Sequence, residues 1–187
     1  MRIISGKLKG KKISFLKSST TRPLKDSVKE SIFNIISHSN LLDIDLKSSN
    51  VLDLYSGIGS FGLECISRGA KNIIFVEKDK KASEILISNL FKLEINSSAN
   101  VIVDEVKNFL KKKNSRKFEI FFFDPPFKDS NFIQDLDLIK QQKCFKKEHV
   151  VIIHRERKAV DNLKGILDPI ITKHYGRSKI IIGKFLL

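Results

Sequence analysis

Two cysteines in 187 residues, and no apolar run approaching the thickness of a bilayer, set the outer limits on this chain. Cys65 lies in a stretch that reads as helix and Cys144 in a lysine-rich one, so neither a disulfide framework nor a Cys/His metal cluster is indicated, and both are expected as reduced thiols. The four histidines, His38, His149, His154 and His174, show no ligand spacing and are read as surface or packed residues. No metal is expected. A spanning helix needs about 18 consecutive apolar residues, and the N-terminus carries charge without the apolar stretch of a secretory signal. A protein of the cytoplasm with no membrane partner is expected. Acids are missing from one end altogether: residues 1–25 hold eight cations and no carboxylate.

What is present is enough to build a core. With 41% hydrophobic content the chain is expected to fold as one domain, residues 26–187, preceded by a basic hairpin and arm, residues 1–25. The net charge of +14 is segregated, because 1–25 and 140–187 each carry +8 while 26–139 carry −2. Two basic arms on a near-neutral core predict a polyanionic partner, bound in a salt-dependent way, and nucleic acid is the leading one. Lysine used only for solubility is the plainer alternative.

The first fifteen residues alternate, with Ile4, Leu8, Ile13 and Phe15 among Lys and Gly, and predict a short hairpin or edge strands turning at Gly6 and Gly10. Asp26 is a plausible N-cap for a helix to about His38, with Val28, Ile32, Ile35 and Ile36 on one side. Strands and helices then alternate. Strands are expected at Val51 to Tyr55, Asn72 to Val76, Asn100 to Val103, Glu119 to Phe123 and Val150 to Ile153, with a helix after each of the first four. Residues Ile170 to Leu187 read as two further strands around a turn at Tyr175 to Ser178. The fold class that follows is α/β, a Rossmann-like, doubly wound and mostly parallel sheet closed by a C-terminal antiparallel hairpin. Ligands of such sheets bind beyond the carboxyl ends of the strands.

Two segments at those ends carry chemistry. Gly57-Ile58-Gly59-Ser60-Phe61-Gly62 matches the glycine-rich nucleotide turn between a strand and a helix, and Glu77 lies twenty positions after Gly57, where a carboxylate can take two ribose hydroxyls. Asp53, Glu77, Asp104 and Asp124 would make the rim acidic. A pyrophosphate fits that rim poorly, since like charges about 4–6 Å apart repel, which argues against an NAD-dependent oxidoreductase. S-adenosylmethionine, with an ammonium and a sulfonium, fits it well. Asp104 is then available to the adenine amine, although Asp79 and Asp104 are equally well placed as helix caps. The second segment is Asp124-Pro125-Pro126-Phe127, directly after Ile120 to Phe123. Asp124 and the Pro125 carbonyl can accept the two N–H groups of an exocyclic amine, Phe127 can stack on its ring, and neither Pro125 nor Pro126 offers a competing N–H. A strand that simply ends in a Pro-Pro turn is the plain alternative.

The stretches Asp53 to Ala70, Phe75 to Asp79 and Asp124 to Phe127 resemble the bacterial 16S rRNA guanine-N2 methyltransferases, a family of the class I, S-adenosylmethionine-dependent fold. Met1 to Gly10, Thr21-Arg22-Pro23 with Asp26 and Glu30, and Tyr175 to Ile180 are similar to it too, so the likeness spans nearly the whole chain. Ser56 stands where alanine is usual and Lys29 where arginine is usual. The resemblance implies methyl transfer to N2 of a guanine in 16S rRNA, within a 30S subunit or assembly intermediate, by a monomer. The candidate donor site is Asp53, Tyr55, Ser56, Gly57, Gly59, Glu77, Lys78, Asp104 and Glu105. The RNA contacts are expected from Lys7, Lys9, Lys11, Arg22, Lys25, Arg177 and Lys179, with Lys12 alongside. His154, just after the fifth strand, is expected to border the cleft with no catalytic part. Asp-Pro-Pro-Phe also occurs in adenine-N6 methyltransferases, which leaves that reaction as the nearest rival. A non-enzymatic RNA-binding module would explain the basic ends but not Asp124 or the glycine-rich turn.

Overall fold

The computed structural model describes residues 1–15, 24–112 and 116–186. Helix α1 (Asp26–His38) precedes β1 (Asn50–Leu54), α2 (Ser60–Ser67), β2 (Asn72–Glu77), α3 (Lys80–Lys92), β3 (Ala99–Val103), α4 (Val106–Lys111), β4 (Phe118–Phe123), α5 (Phe132–Gln142), β5 (Phe145–Glu156), β6 (Leu167–Tyr175) and β7 (Ser178–Phe185). The seven strands form one sheet in the order β3-β2-β1-β4-β5-β7-β6, parallel through β5 and antiparallel at β7 and β6.

The central strands are apolar on both faces because both are covered. Along β4 the alternation sends Ile120 and Phe122 into a core shared with α1, α2 and α3, and Phe121 and Phe123 into a second core under α4 and α5. Phe61 of α2 lies flat between Phe33 of α1 and Phe122 of β4, with ring centroids 5.2 and 4.1 Å away, and joins three elements. Two glycines let the start of α2 lie close to β2 and α3. A Cβ on Gly62 would sit 2.2 Å from the Phe75 ring, and Gly59, at φ 81°, would place one 2.4 Å from Leu86.

Several details depart from expectation. Asp26 is the first residue of α1 rather than its cap, which is Lys25, and its carboxylate faces Lys29 and Arg2 in the first turn. Strand β5 begins five residues before the expected Val150, because Lys146-Lys147-Glu148 is strand with exposed or half-exposed side chains and has no apolar alternation to show for it. The basic C-terminal region is no arm. It is β5, β7 and β6, three strands of the sheet itself.

The N-terminal segment is a hairpin-like loop, closed by an antiparallel bridge between Arg2 and Lys12, and it buries Ile3 and Ile13 rather than Ile4 or Phe15. A buried carboxylate sets that register. Glu64 of α2 accepts the N–H groups of Ile4 and Ser5 at 2.8 and 2.9 Å, while Arg68 and the fully buried Lys29 balance its charge at 2.9 and 3.7 Å. Lys29 in turn donates to the Arg2 carbonyl, and burial lowers its pKa despite the neighbouring acids. Glu64→Ala strands Lys29 in the core and frees both hairpin amides. Such a break costs about 3–5 kcal/mol. Thermal unfolding is expected to show a loss of that size, with faster amide exchange at Ile4 and Ser5, and Glu64→Gln, which keeps an acceptor, is expected to lose less.

Candidate active site

β1 and β4 are neighbours in parallel register, Leu54 opposite Phe123, so the residues that follow them emerge side by side. The Asp124 N–H donates to the Leu54 carbonyl at 3.3 Å, which ties the start of the Asp-Pro-Pro-Phe turn to the end of β1. On the other flank of β1 the Ser56 N–H donates to the Val76 carbonyl of β2. Between these ties opens a cleft of about 980 Å³, lined by residues from the ends of β1, β2, β4 and β5 and by Met1, Phe15 and Leu24 from the N-terminal segment.

Of the expected donor-site residues, Asp53, Tyr55, Ser56, Gly57, Glu77, Lys78, Asp104 and Glu105 line this cleft, and Gly59 does not. Gly59 instead makes the left-handed turn into α2 against Leu86, a packing role. Glu77 is aimed by the backbone: its two oxygens accept the N–H groups of Gly57 and Asp79 at 2.7 and 2.8 Å, leaving further lone pairs for a ligand. Asp79 caps α3 through the Ala82 N–H. Asp104 is engaged with its own helix and Lys112, whose ammonium at 3.0 Å holds its pKa below the usual carboxylate range.

Asp53 differs from the other acids. Its Oδ2 accepts the Gly62 N–H at 3.0 Å, while Oδ1 is buried with no hydrogen-bond partner among the described residues. Burial first, then the charges of Asp124 and Glu77, push its pKa well above the ordinary value. A buried acceptor without a donor is costly, and a cationic group in the cleft would satisfy it. The residues present therefore suit a positively charged ligand.

Asp124, Pro125, Pro126 and Phe127 all line the same cleft. The Pro126 carbonyl is committed, accepting from Arg155 Nη1 at 3.0 Å and from the Asp129 N–H at 2.8 Å. Arg155 itself is buried, lies 4.5 Å over the Phe132 ring and pairs with Asp161, so it braces the turn from beneath. Tyr55, at a left-handed φ of 59°, is held by a 2.5 Å bond from its hydroxyl to Asp135. His154, expected as a surface or packed residue bordering the cleft, does line it, and it also contacts Asp124. It is buried, with Nδ1 2.8 Å from Asp124 Oδ1 and its ring edge-on to Phe127. A signal existed: Phe123 pairs with Ile153 in parallel register, so the next residue on each strand, Asp124 and His154, had to be neighbours.

Lys7, Lys9, Lys11, Lys12 and Lys25 are exposed and do not line the cleft, the Lys7 N–H donating to the Ser67 carbonyl at the C-terminal end of α2, whereas Arg177 is exposed and lines it. Lys179 is mostly buried, bonded to the Ala159 carbonyl and 3.5 Å from Asp161, so its ammonium is held within the fold. Arg22 lies outside the described residues. Among the described residues there is no cluster of three or more metal-ligating side chains, and no helix is long and apolar enough to cross a membrane.

The sequence profile of the family called Conserved hypothetical protein 95 matches residues 1–184. The chain belongs to that family. Bacillus subtilis YlbH, named as an rRNA methyltransferase, is 32% identical over 188 residues, covering 98% of each chain. Ribosomal RNA small subunit methyltransferase D of Haemophilus influenzae is 34% identical over 159 residues, 84% of this chain and 79% of that one. A solved Escherichia coli structure described as a methyltransferase, yhhF, superposes with a TM-score of 0.84 at 26% identity, over 99% of this chain and 97% of its own. The mostly parallel sheet with its antiparallel C-terminal hairpin is the class I methyltransferase fold.

Asp53 also makes a stability prediction. A carboxyl whose pKa is raised on folding contributes stability that is fully present below its unfolded value, about 4, and is lost as pH rises through the folded value. Asn keeps an acceptor for the Gly62 N–H and does not ionise. Urea midpoints of Asp53→Asn relative to wild type are expected to shift in favour of the variant between pH 4 and pH 8.

Proposed function

We propose that this protein transfers a methyl group from S-adenosylmethionine to the exocyclic N2 amine of a guanine in 16S rRNA, presented by a 30S subunit or an assembly intermediate. It does so as a monomer in the cytoplasm. The observation that carries the reading is Asp124 and the Pro125 carbonyl, one strand away from a cleft floor whose buried Asp53 oxygen lacks a donor. The names of the relatives support rRNA as the substrate class.

When bound, S-adenosylmethionine supplies a methyl group on a positive sulfur. Asp53 would meet its ammonium, Glu77 its ribose diol, and Asp104 or Glu105 the adenine edge, each from the lip of the sheet where it lies. Asp124 and the Pro125 carbonyl would hold the two N–H bonds of the substrate amine, directing its lone pair along the line of attack, and Phe127 would fix the ring plane. The nitrogen becomes positive as the new N–C bond forms and the S–C bond breaks. Asp124, a negatively charged acceptor, stabilises that state and can take the proton the product loses. No covalent intermediate is needed. Cys65 and Cys144 are both buried with raised thiol pKa values, so neither is a ready nucleophile. The target base must leave its stack to reach the cleft.

Labelled methyl transfer to unmodified rRNA and 30S particles, followed by nucleoside analysis, is expected to give N2-methylguanosine; N6-methyladenosine would redirect the assignment to the rival amine. Asp124→Ala is expected to abolish transfer while leaving RNA affinity nearly unchanged. The hairpin lysines should act the other way. Changing Lys7, Lys9, Lys11 and Lys12 together to Ala is expected to weaken RNA binding and flatten its log–log salt dependence by about 2–3, at roughly 0.7 per lost phosphate contact.

A further inference from the structure

The Asp124–His154 contact goes beyond the four-residue motif and bears on how that motif can act. An ionised carboxylate only accepts, so the hydrogen in the 2.8 Å contact must be on His154 Nδ1. That bond occupies Oδ1 and leaves Oδ2 for a ligand. Three features hold the pair still. Asp124 is anchored through its N–H to β1, His154 is in register with β7 opposite Ile180, and Phe127 meets the imidazole edge-on with centroids 5.7 Å apart.

Asp124 needs such a partner. Its side chain is 25% exposed and shares the cleft with Asp53 and Glu77, whose charges oppose it, while that of His154 is only 6% exposed. Left alone, the carboxylate would rotate toward water and away from the other acids. Arg155, the nearest fixed cation on the same strand, is turned to Asp161 and the Pro126 carbonyl and does not serve Asp124.

We propose that His154 is a positioning residue for methyl transfer: its Nδ1–H locks Asp124 in the rotamer that points Oδ2 at the substrate amine. This rests on the exocyclic-amine reading of the cleft. His154 need not touch the substrate or exchange a proton with it. Its contribution is geometric, and a misdirected acceptor of this kind slows a positioned reaction by up to about a hundredfold.

The test compares His154→Phe, which keeps a ring but has no donor, with His154→Asn, whose Nδ2 can lie near the position of Nδ1. Single-turnover methyl transfer to rRNA is read alongside equilibrium binding of S-adenosylmethionine and of RNA. The Phe variant is expected to transfer about 10–100-fold more slowly with both affinities within twofold of wild type, and the Asn variant to recover most of the rate. His154→Ala supplies a second arm in case the Phe variant folds poorly, because added imidazole is expected to restore its rate. Equal slowing in the Phe and Asn variants with no imidazole rescue would overturn the assignment, leaving His154 a packing residue. An unchanged rate in the Phe variant would overturn it as well. Both outcomes require an active wild type; a wild type that methylates no exocyclic amine in rRNA would instead bring down the parent reading, and this assignment with it.

Discussion

The parallel register of β1 against β4 is the constraint on which the site depends. With Leu54 opposite Phe123, the glycine-rich turn and the Asp-Pro-Pro-Phe turn leave the sheet at one point. A slip of one residue would turn Phe121 and Phe123 out of the α5 side and Phe122 away from Phe61, exchanging two packed cores. Register is thus specified by burial on both faces. The chemistry at the strand ends inherits its geometry from that burial rather than from contacts among the site residues.

Charge is organised around the same edge. The interior of the cleft is acidic, with one oxygen of the buried Asp53 lacking a donor among the described residues, whereas Arg177 lines the cleft and the lysines of the N-terminal hairpin are exposed. Glu64 connects the two regions physically. Buried in α2, it bonds the backbone of the hairpin, so the helix that follows the glycine-rich turn also fixes where the hairpin's cations stand.

The order of elements and the sheet class were legible because each central strand is a short apolar run and the helices other than the wholly buried α2 have a one-sided stripe. The limits of β5 were not, since Lys146-Lys147-Glu148 is strand by pairing and not by pattern. Asp124, Phe127, Asp53 and Glu77 stood out by position at or just beyond the carboxyl ends of strands. Gly59 and Lys179 were read as ligand contacts, and their packing against Leu86 and pairing with Asp161 were not legible, because a glycine or a lysine in a motif does not disclose which way it faces. His154 was undervalued for the opposite reason: a lone histidine carries no signal until the neighbouring strand is aligned with it.

Composition and periodicity were sufficient for a covered parallel sheet, a glycine turn after its first strand and an acidic set at the strand ends, because those depend on local pattern and on alternation within single strands. Folding alone decided which acid lost its donor, which histidine faced Asp124, and which arginine bridged Pro126 and Asp161. Those outcomes join residues distant along the chain, through desolvation and hydrogen-bond geometry that exist only once the strands lie side by side.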